Sequence, residues 1–423
     1  MMGAPPPSPR DLSLLFSRMD GFFFTAHSTC RTIEMLDRNI GQRRDATRAP
    51  IQARNGWRPS GRRLGQPATP SKDCRIFVQT MGSTSQGIGR ANPRQRFTQD
   101  EAFKMAGYSS PRVLEIFRNC DIDYRHFYVE AGQSRNETPG ELNERYLRGA
   151  MESGCRAVNA CLQSAGLTPI DVDLFVVCTS TGYVCPDLGS RLIGHMGFRR
   201  DVQRTAIVGL GCAGALPGLQ RACDFVLARR NGTALMLAVE ICSACYFVDG
   251  TMDTVIGNAI CADGAAAFVI NGKSPRTRSQ PAVLDFESFV DTEQIDKVGF
   301  EHRDGKLRVV LANVVHDLAG PMIERAVDAL LDRNGLRRAD IRFWIMHPGG
   351  RKVINTVQQK LGRTDEQLRF SRNVMRNFGN MSSPTVMFVA EEVVRSGDPQ
   401  PGDLAIMAAL GPGMAAEAAL LQW

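Results

Sequence analysis

Cys212 lies in Thr205-Ala-Ile-Val-Gly-Leu-Gly-Cys-Ala-Gly-Ala-Leu-Pro-Gly-Leu-Gln220. There a β-rich apolar stretch ends in glycine and a helical pattern begins at once. A thiol at such a turn is open to reactants and faces the positive end of a helix dipole. Both effects favour the thiolate, the nucleophile of covalent acyl transfer. It needs a base or ion-pair partner, and a donor for a developing oxyanion. Six histidines are available: His27, His126, His195, His302, His316 and His347. His27 lies in an Arg-rich N-terminal region, and His126 and His195 read as packing or surface residues. His347 closes the apolar run Phe343-Trp-Ile-Met346 and precedes Pro348-Gly349-Gly350, a turn that exposes its ring. Asn380, in Asn377-Phe-Gly-Asn-Met-Ser-Ser383, stands just before a helix start. Alone, a strand-end histidine is more often structural, and such an asparagine reads as an Asx turn or cap. Beside His347, its neutral amide can hold an enolate oxygen without titrating.

These residues need strands and helices to position them. Helical segments are expected at Gln99–Ala106, Ser110–Asn119 and Thr138–Ala165. Phe175–Cys178 reads as a strand buried on both faces. The Cys212 strand and helix follow, then strands at Ala234–Glu240 and Asp263–Ile270. After a polar linker, Asn271–Pro281, the pattern partly repeats. A helix is expected at Met322–Arg333, the strand ending at His347, and a helix at Val353–Leu361. Another helix starts at Ser383-Pro384, with Ser383 as N-cap and Gly397 as stop. Two apolar strands, Leu404–Leu410 and Met414–Leu421, flank Gly411-Pro412-Gly413. Alternating elements in two similar halves predict an α/β fold with a duplicated core.

The bulk numbers narrow the functional classes. The chain has 423 residues, 43% hydrophobic and 22% charged, with a net charge of +7. Residues 1–72 hold twelve basic and five acidic residues, which accounts for the whole excess. The remainder is formally neutral and offers no basic field for nucleic acid. Residues 1–72 are rich in Arg, Pro and Gly without an apolar period, and are expected to be disordered. A transit peptide or a misassigned start codon would leave the same composition. Order is expected from a first strand at Cys74–Thr80. No apolar run reaches the length of a membrane span. The twelve cysteines are scattered, as in a reducing cytoplasm, and Cys242-x-x-Cys245 reads as buried strand-to-loop rather than a redox or metal pair.

Gly211-Cys212-Ala213-Gly214, His347-Pro348-Gly349-Gly350, Gly379-Asn380-Met381-Ser382-Ser383 and Gly411-Pro412-Gly413 follow one another in a distinctive order. With Asp263-Gly264-Ala265-Ala266 and Thr179-Ser-Thr-Gly-Tyr-Val-Cys-Pro186, they make residues 73–423 resemble the type III polyketide synthases. These are chalcone-synthase-like enzymes of the thiolase superfamily. The resemblance implies a homodimer with a five-layered αβαβα thiolase-like fold. An N-terminal half, 73–275, would carry the nucleophile, and a C-terminal half, 276–423, the histidine and asparagine. It implies that Cys212 takes an acyl group from an acyl-CoA starter. His347 and Asn380 would assist malonyl-CoA decarboxylation, and the enolate would attack the Cys212 thioester. No cofactor beyond the coenzyme A thioesters is expected.

Further positions follow from the resemblance. Arg118 falls where the family holds the coenzyme A phosphates. Ser180 would line the pocket, Cys185 would reach across the dimer interface, and Gly411-Pro412-Gly413 would wall the cyclisation cavity. Plant members carry a gatekeeping phenylalanine where this chain has Cys261, and a second near Ala312. Loss of both would widen the passage to the cavity. That leaves room for a fatty acyl starter, or for malonyl-CoA as both starter and extender. The Cys212 and Cys242 regions look more like bacterial members, including the branch making dihydroxyphenylacetyl-CoA. A β-ketoacyl-(acyl carrier protein) synthase III shares the Cys-His-Asn set and is the nearest enzyme alternative. A biosynthetic thiolase would want a second cysteine beyond Cys261, and none is present. An inactive thiolase-fold scaffold is the alternative outside catalysis.

Overall fold

The computed structural model describes residues 83–129, 137–229, 231–272 and 280–423. The expected strand at Cys74–Thr80 and the N-terminal region 1–72 lie outside them. In chain order the elements are β1 (Ser83–Ala91), β2 (Arg96–Thr98), α1 (Gln99–Met105), α2 (Pro111–Arg118), β3 (Tyr124–His126), α3 (Pro139–Ser164) and β4 (Leu174–Thr179). Next come α4 (Leu188–Met196), β5 (Gln203–Val208), α5 (Ala215–Ala228), β6 (Thr233–Ile241), α6 (Met252–Ile260) and β7 (Asp263–Asn271). The second half has β8 (Ala282–Val290), β9 (Val298–Arg303), β10 (Lys306–Leu311), α7 (Val315–Arg333), β11 (Ile341–Met346) and α8 (Arg351–Leu361). It closes with α9 (Arg369–Phe378), α10 (Ser383–Ser396), β12 (Leu404–Gly411) and β13 (Ala415–Gln422).

Nine strands form one sheet in the order β11-β12-β13-β8-β1-β7-β6-β4-β5. Its seam is thin, because β1 and β8 pair only at Ser83↔Val283 and Thr84↔Ala282. On one side of the seam, β1, β7 and β6 run antiparallel and β4 joins β6 in parallel. On the other side, β8, β13 and β12 run antiparallel and β11 joins β12 in parallel. The same four-strand arrangement thus occurs twice, with β5 added beside β4 at the edge of the first.

Side-chain alternation sorts the layers. In β4, Phe175 and Val177 face α3 and α4, where Tyr146, Val158 and Leu192 cover them. Val176 and Cys178 face the opposite way, onto Leu216 and Leu219 of α5. Helix α10 lies in that same central layer, its Val386 and Val389 against Ile345 and Met407 of the second half-sheet. The far face of that half-sheet, with Trp344 and Ile406, is covered by Ile323 and Val327 of α7 and Val357 of α8. The result is the αβαβα thiolase-like fold, with both central helices shared by two half-sheets.

The structure departs from the sequence expectations in places. Helix α7 begins at Val315, not Met322, and carries Pro321 inside it. A proline there leaves a carbonyl without its usual donor. Neighbouring Gly320 lets α8 come close, since a Cβ at Gly320 would sit 2.8 Å from Thr356 O. The Thr356 hydroxyl donates to His316 O at 2.7 Å and braces the first turns. Ser383 is not the cap of α10. Ser382 takes that place with φ 58° and makes no side-chain cap bond. Helices α4, α6 and α9 and strands β1 to β3 and β8 to β10 had no sequence counterpart: α9 shows only a thin apolar stripe among Arg and Asn residues.

Candidate active site

The nucleophile turn is built from close approaches. Strand β5 ends at Val208, and Gly209 (φ 80°) and Gly211 (φ 50°) bring the chain into a 3-10 turn at Gly211–Ala213, ahead of α5. The Gly211 N–H donates to Ser180 Oγ at 2.8 Å, so Ser180 fixes this turn from behind. A Cβ on Gly211 would lie 2.6 Å from Pro412 Cδ. One on Gly411 would lie 2.5 Å from Leu210 O. The turn Gly411-Pro412-Gly413 is therefore packed against the turn that presents Cys212.

His347 and Asn380 reach the same place from the second half. His347 follows β11, and its backbone N–H is tied to Ala408 O at 2.9 Å. The ring is buried, and neither Nδ1 nor Nε2 has a hydrogen-bond partner. Asn380 is held by its backbone: its N–H bonds Ile260 O at 2.9 Å, and its carbonyl accepts from Ala262 N at 2.8 Å. That pairing sets Cys261 directly beside it. The Asn380 amide is oriented by chemistry. Its Oδ1 accepts from Ser382 N at 2.8 Å, and its Nδ2 donates to Gly349 O at 3.2 Å. The Cys212 thiol points at the same Oδ1 from 3.9 Å, a weak contact. A Cβ on Gly349 would lie 3.6 Å from His347 Nε2, so the imidazole and the amide flank one glycine. One Nδ2 hydrogen goes to Gly349, which leaves the second for a ligand.

Cys212, His347, Asn380, Cys261, Cys242 and Pro412 line one cavity, with about 940 Å³ of empty space including its opening. A second hollow of about 1180 Å³ adjoins it, lined by Ala312. Ile260, Leu311, Val315, Gly349 and Val353 border both, so the passage between them has aliphatic walls. Arg118 lies outside both hollows: on the surface its guanidinium binds Asp100, with Nε–Oδ1 at 2.8 Å. Ser180 is buried behind the nucleophile turn rather than on the cavity wall. Cys185 is exposed, away from the cavity.

Known proteins match this arrangement. "Chalcone and stilbene synthases, C-terminal domain" matches residues 295–423, and "FAE1/Type III polyketide synthase-like protein" matches residues 135–331. A 3,5-dihydroxyphenylacetyl-CoA synthase from Amycolatopsis balhimycina is 33% identical over 343 residues, covering 80% of this chain and 92% of that one. The chain belongs to the type III polyketide synthase family. A 1,3,6,8-tetrahydroxynaphthalene synthase from Streptomyces peucetius is 35% identical over 361 residues, covering 82% of this chain and 95% of the relative. Among solved structures, PKS-I from the brown alga Ectocarpus siliculosus superposes with a TM-score of 0.75 at 29% identity, over 81% of this chain and 99% of that one. General condensing chemistry on coenzyme A thioesters follows from that membership.

In this type III polyketide synthase, burial pushes both catalytic candidates towards their neutral forms. Burial pushes the Cys212 thiol up to about 12, although Ser382 and Asn380 pull it down. Burial also pushes His347 down to about 4. At the start of α5, desolvation of the thiol opposes the pull of the helix end. No partner locks the imidazole tautomer.

Behind the pair stands Glu240, fully buried at the end of β6. It accepts from Ser180 N (2.9 Å), Thr181 N (3.0 Å), Thr181 Oγ1 (2.9 Å) and Ser383 Oγ (2.9 Å). Burial raises its carboxyl to about 6 despite those four donors. It ties β4, β6 and α10 together under the nucleophile turn. Asp263 does similar work one strand away, accepting from Ser243 N at 2.8 Å and Tyr128 N at 2.7 Å. Cys242 and Cys245 are buried, and no cluster of three metal-ligating side chains occurs among the described residues.

Sequence reasoning missed the cations of the outer hollow, Arg112, Arg351 and Lys352. The signal was present. Arg351 and Lys352 open α8, whose first turn has no acidic residue. Two cations at the positive end of a helix are unfavourable unless an anion joins them, and here Asp121 Oδ1 lies 3.8 Å from Arg351.

Proposed function

We propose that the protein is a decarboxylating, iterative type III polyketide synthase of the bacterial type. One observation carries this reading: His347 is buried with both ring nitrogens unpartnered, in the cavity that holds Cys212 and Asn380. A buried imidazole without partners costs stability and is kept for a ligand. In the loading step, Cys212 Sγ attacks the carbonyl of an acyl-CoA while His347 Nε2 takes its proton. The carbon–sulfur bond to coenzyme A breaks, and the imidazolium returns the proton to the leaving sulfur. In the extension step, malonyl-CoA loses carbon dioxide, and the electron pair stays as an enolate. Its oxygen is held by the spare Asn380 Nδ2–H and by His347 in the Nε2–H tautomer. The enolate carbon attacks the Cys212 thioester, and the sulfur leaves with the electron pair. Repetition gives a poly-β-keto chain, cyclised to a resorcinol, phloroglucinol or pyrone beside Cys261 and Pro412.

Arg112, Arg351 and Lys352 would take the coenzyme A phosphates at the outer hollow, where the start of α8 adds its dipole. Ala312 stands on that route. We place a homodimer contact on β5. This strand is the sheet edge, five of its six residues are exposed, and Val208 at its end is 51% exposed. An open edge of that kind is satisfied by a second copy. Cys185 lies on the exposed surface and is available to the same contact. We divide the chain at 275/276, near the seam between β7 and β8. Asn380→Ala tests the mechanism. Carbon dioxide release from malonyl-CoA is expected to fall by about a hundredfold or more, with loading of Cys212 reduced far less. Unchanged release would remove Asn380 from the decarboxylation step.

A further inference from the structure

Two thiols of the cavity wall have no part in the bond-making steps above. Strands β6 and β7 pair as far as Ile241↔Asp263, and Cys242 and Cys261 lie just beyond that last rung. A rung of such a ladder is about 4.5–5.5 Å wide between Cα atoms, within the roughly 4.4–6.8 Å that a disulfide spans. Asp263 clasps the two strand ends together. Its Oδ1 accepts from Ser243 N at 2.8 Å and its Oδ2 from Ser243 Oγ at 2.6 Å. Cys242 and Cys261 both line the cavity, so a small reactant that enters it meets both. Their thiols are hydrogen-bonded to each other.

The two thiols are not equivalent. Arg125 is fully buried, and its Nη1 donates to Cys261 O at 2.8 Å and to Asn258 O at 2.7 Å. Its Nε and Nη2 have no hydrogen-bond partner, so its charge bears on the thiol beside it. The hydrogen bond with Cys242 holds the Cys261 thiol below its ordinary value, and Arg125 acts in the same direction against burial. Cys242 is pushed well up by that bond and by burial. Cys261 is thus the readier thiolate and Cys242 the neighbour that keeps its proton, as in an attacking and a resolving cysteine.

We propose that Cys261 and Cys242 are a site of reversible oxidation by hydroperoxides, and that closing their disulfide disturbs Asn380. The Cys261 sulfur attacks the terminal peroxide oxygen and the O–O bond breaks. The departing oxygen takes the thiol's proton and leaves as water or an alcohol. The Cys242 sulfur then attacks the resulting sulfenic acid. An S–S bond forms, the S–O bond breaks, and the oxygen leaves as water with the Cys242 proton. The two thiols give up two electrons, and the peroxide is reduced by them. Asn380 feels the change because its N–H bonds Ile260 O and its carbonyl accepts from Ala262 N, one on each side of Cys261. Movement of Cys261 towards Cys242 is therefore carried to the amide placed for the enolate, a consequence that rests on the condensing reading above.

The test uses the full chain carrying Cys212→Ala, which removes oxidation of the nucleophile itself. The protein is treated with hydrogen peroxide, capped with N-ethylmaleimide and mapped by non-reducing peptide mass spectrometry. A Cys242–Cys261 crosslink is expected, and dithiothreitol should open it. Carbon dioxide release from malonyl-CoA should fall by about tenfold or more on oxidation and return on reduction. Adding Cys242→Ser should stop the reaction at a sulfenic acid on Cys261, trapped by dimedone. Adding Cys245→Ser should leave the crosslink in place. Oxidation confined to other cysteines, or a crosslink from Cys242 to Cys245, overturns the site. A Cys242–Cys261 crosslink that leaves carbon dioxide release unchanged overturns the link to Asn380. A reduced variant that releases no carbon dioxide overturns the decarboxylation reading instead, and the crosslink alone then decides the oxidation site.

Discussion

The two halves repeat one fold yet use equivalent strand ends differently. Strand β4 ends at Thr179, and the polar groups of Ser180 and Thr181 that follow it are bonded. Ser180 N, Thr181 N and the Thr181 hydroxyl all reach Glu240, and Ser180 Oγ takes Gly211 N. Its counterpart β11 is followed by His347, whose ring nitrogens have no partner. The central helices show the same contrast. Helix α5 starts behind a thiol, whereas α10 starts behind an amide and a strained serine, Ser382 at φ 58°. A satisfied buried polar group holds a fold together, and an unsatisfied one waits for something. By that measure the N-terminal half presents the nucleophile on a rigid base, and the C-terminal half carries the responsive groups.

Substitutions on either side should break this contrast unequally. Cys212→Ala should abolish acyl-enzyme formation in intact-mass measurements, with turnover down by about a thousandfold or more and an unchanged circular dichroism spectrum. Substantial product from that variant would remove Cys212 from the chemistry. His347→Leu should cost turnover about a hundred- to ten-thousandfold while leaving the protein at least as stable at neutral pH, because two stranded nitrogens disappear. The pH response has a defined sign. His347 sits at about 4 in the folded state against an ordinary value of 6.5. The unfolded chain therefore binds the extra proton first, and wild-type stability falls as pH drops from 6.5 to 4. The group accounts for about 3 kcal/mol, and His347→Leu should lose that slope in denaturant titrations. A parallel slope in both proteins would mean that the ring is charged when folded.

The base of the nucleophile should behave in the opposite manner. Glu240→Gln points an amide N–H₂ at existing donors, and should destabilise by about 2–4 kcal/mol as measured by chemical denaturation. Wild-type stability at this site has the reverse sign. With the folded carboxyl at about 6 and the ordinary value at 4.5, its contribution is full below 4.5 and is lost as pH rises through 6. The variant should lack that component. Ser383→Ala removes one of the four donors, and should cost about 1 kcal/mol with turnover changed less than stability. A larger kinetic than thermodynamic effect would assign Ser383 to the chemistry rather than to the scaffold.

Much of this was legible in the chain. Period and breakers located α1 to α3, β4, β6, β7, β12 and β13, since each has a strong apolar pattern or clear caps. The catalytic candidates stood out because Cys212, His347 and Asn380 each border a glycine-rich turn. The side-chain partners did not. Ser383 looks like an N-cap, and only tertiary contact gives its hydroxyl to Glu240, far away in sequence. Arg118 pairs with Asp100 outside the outer hollow, whereas Arg112, Arg351 and Lys352 line it, a placement only the tertiary fold reveals. The upward push of burial on Cys212 was not legible either, because a helix dipole is local whereas desolvation depends on everything packed around the sulfur. The start of α7 at Val315 was not legible either, as the helix runs through Pro321.

The contact between Gly211 and Pro412 has a consequence for how the enzyme comes into being. The ribosome delivers the nucleophile turn long before it delivers the proline that abuts it. Strand β13, which follows that proline, sits between β12 and β8 within the sheet. A nascent chain can complete most of its first half-sheet and both turns around Ser180, yet the wall beside Cys212 is still missing. The cavity around Cys212 is therefore complete only once the last hairpin, β12 to β13, is in place.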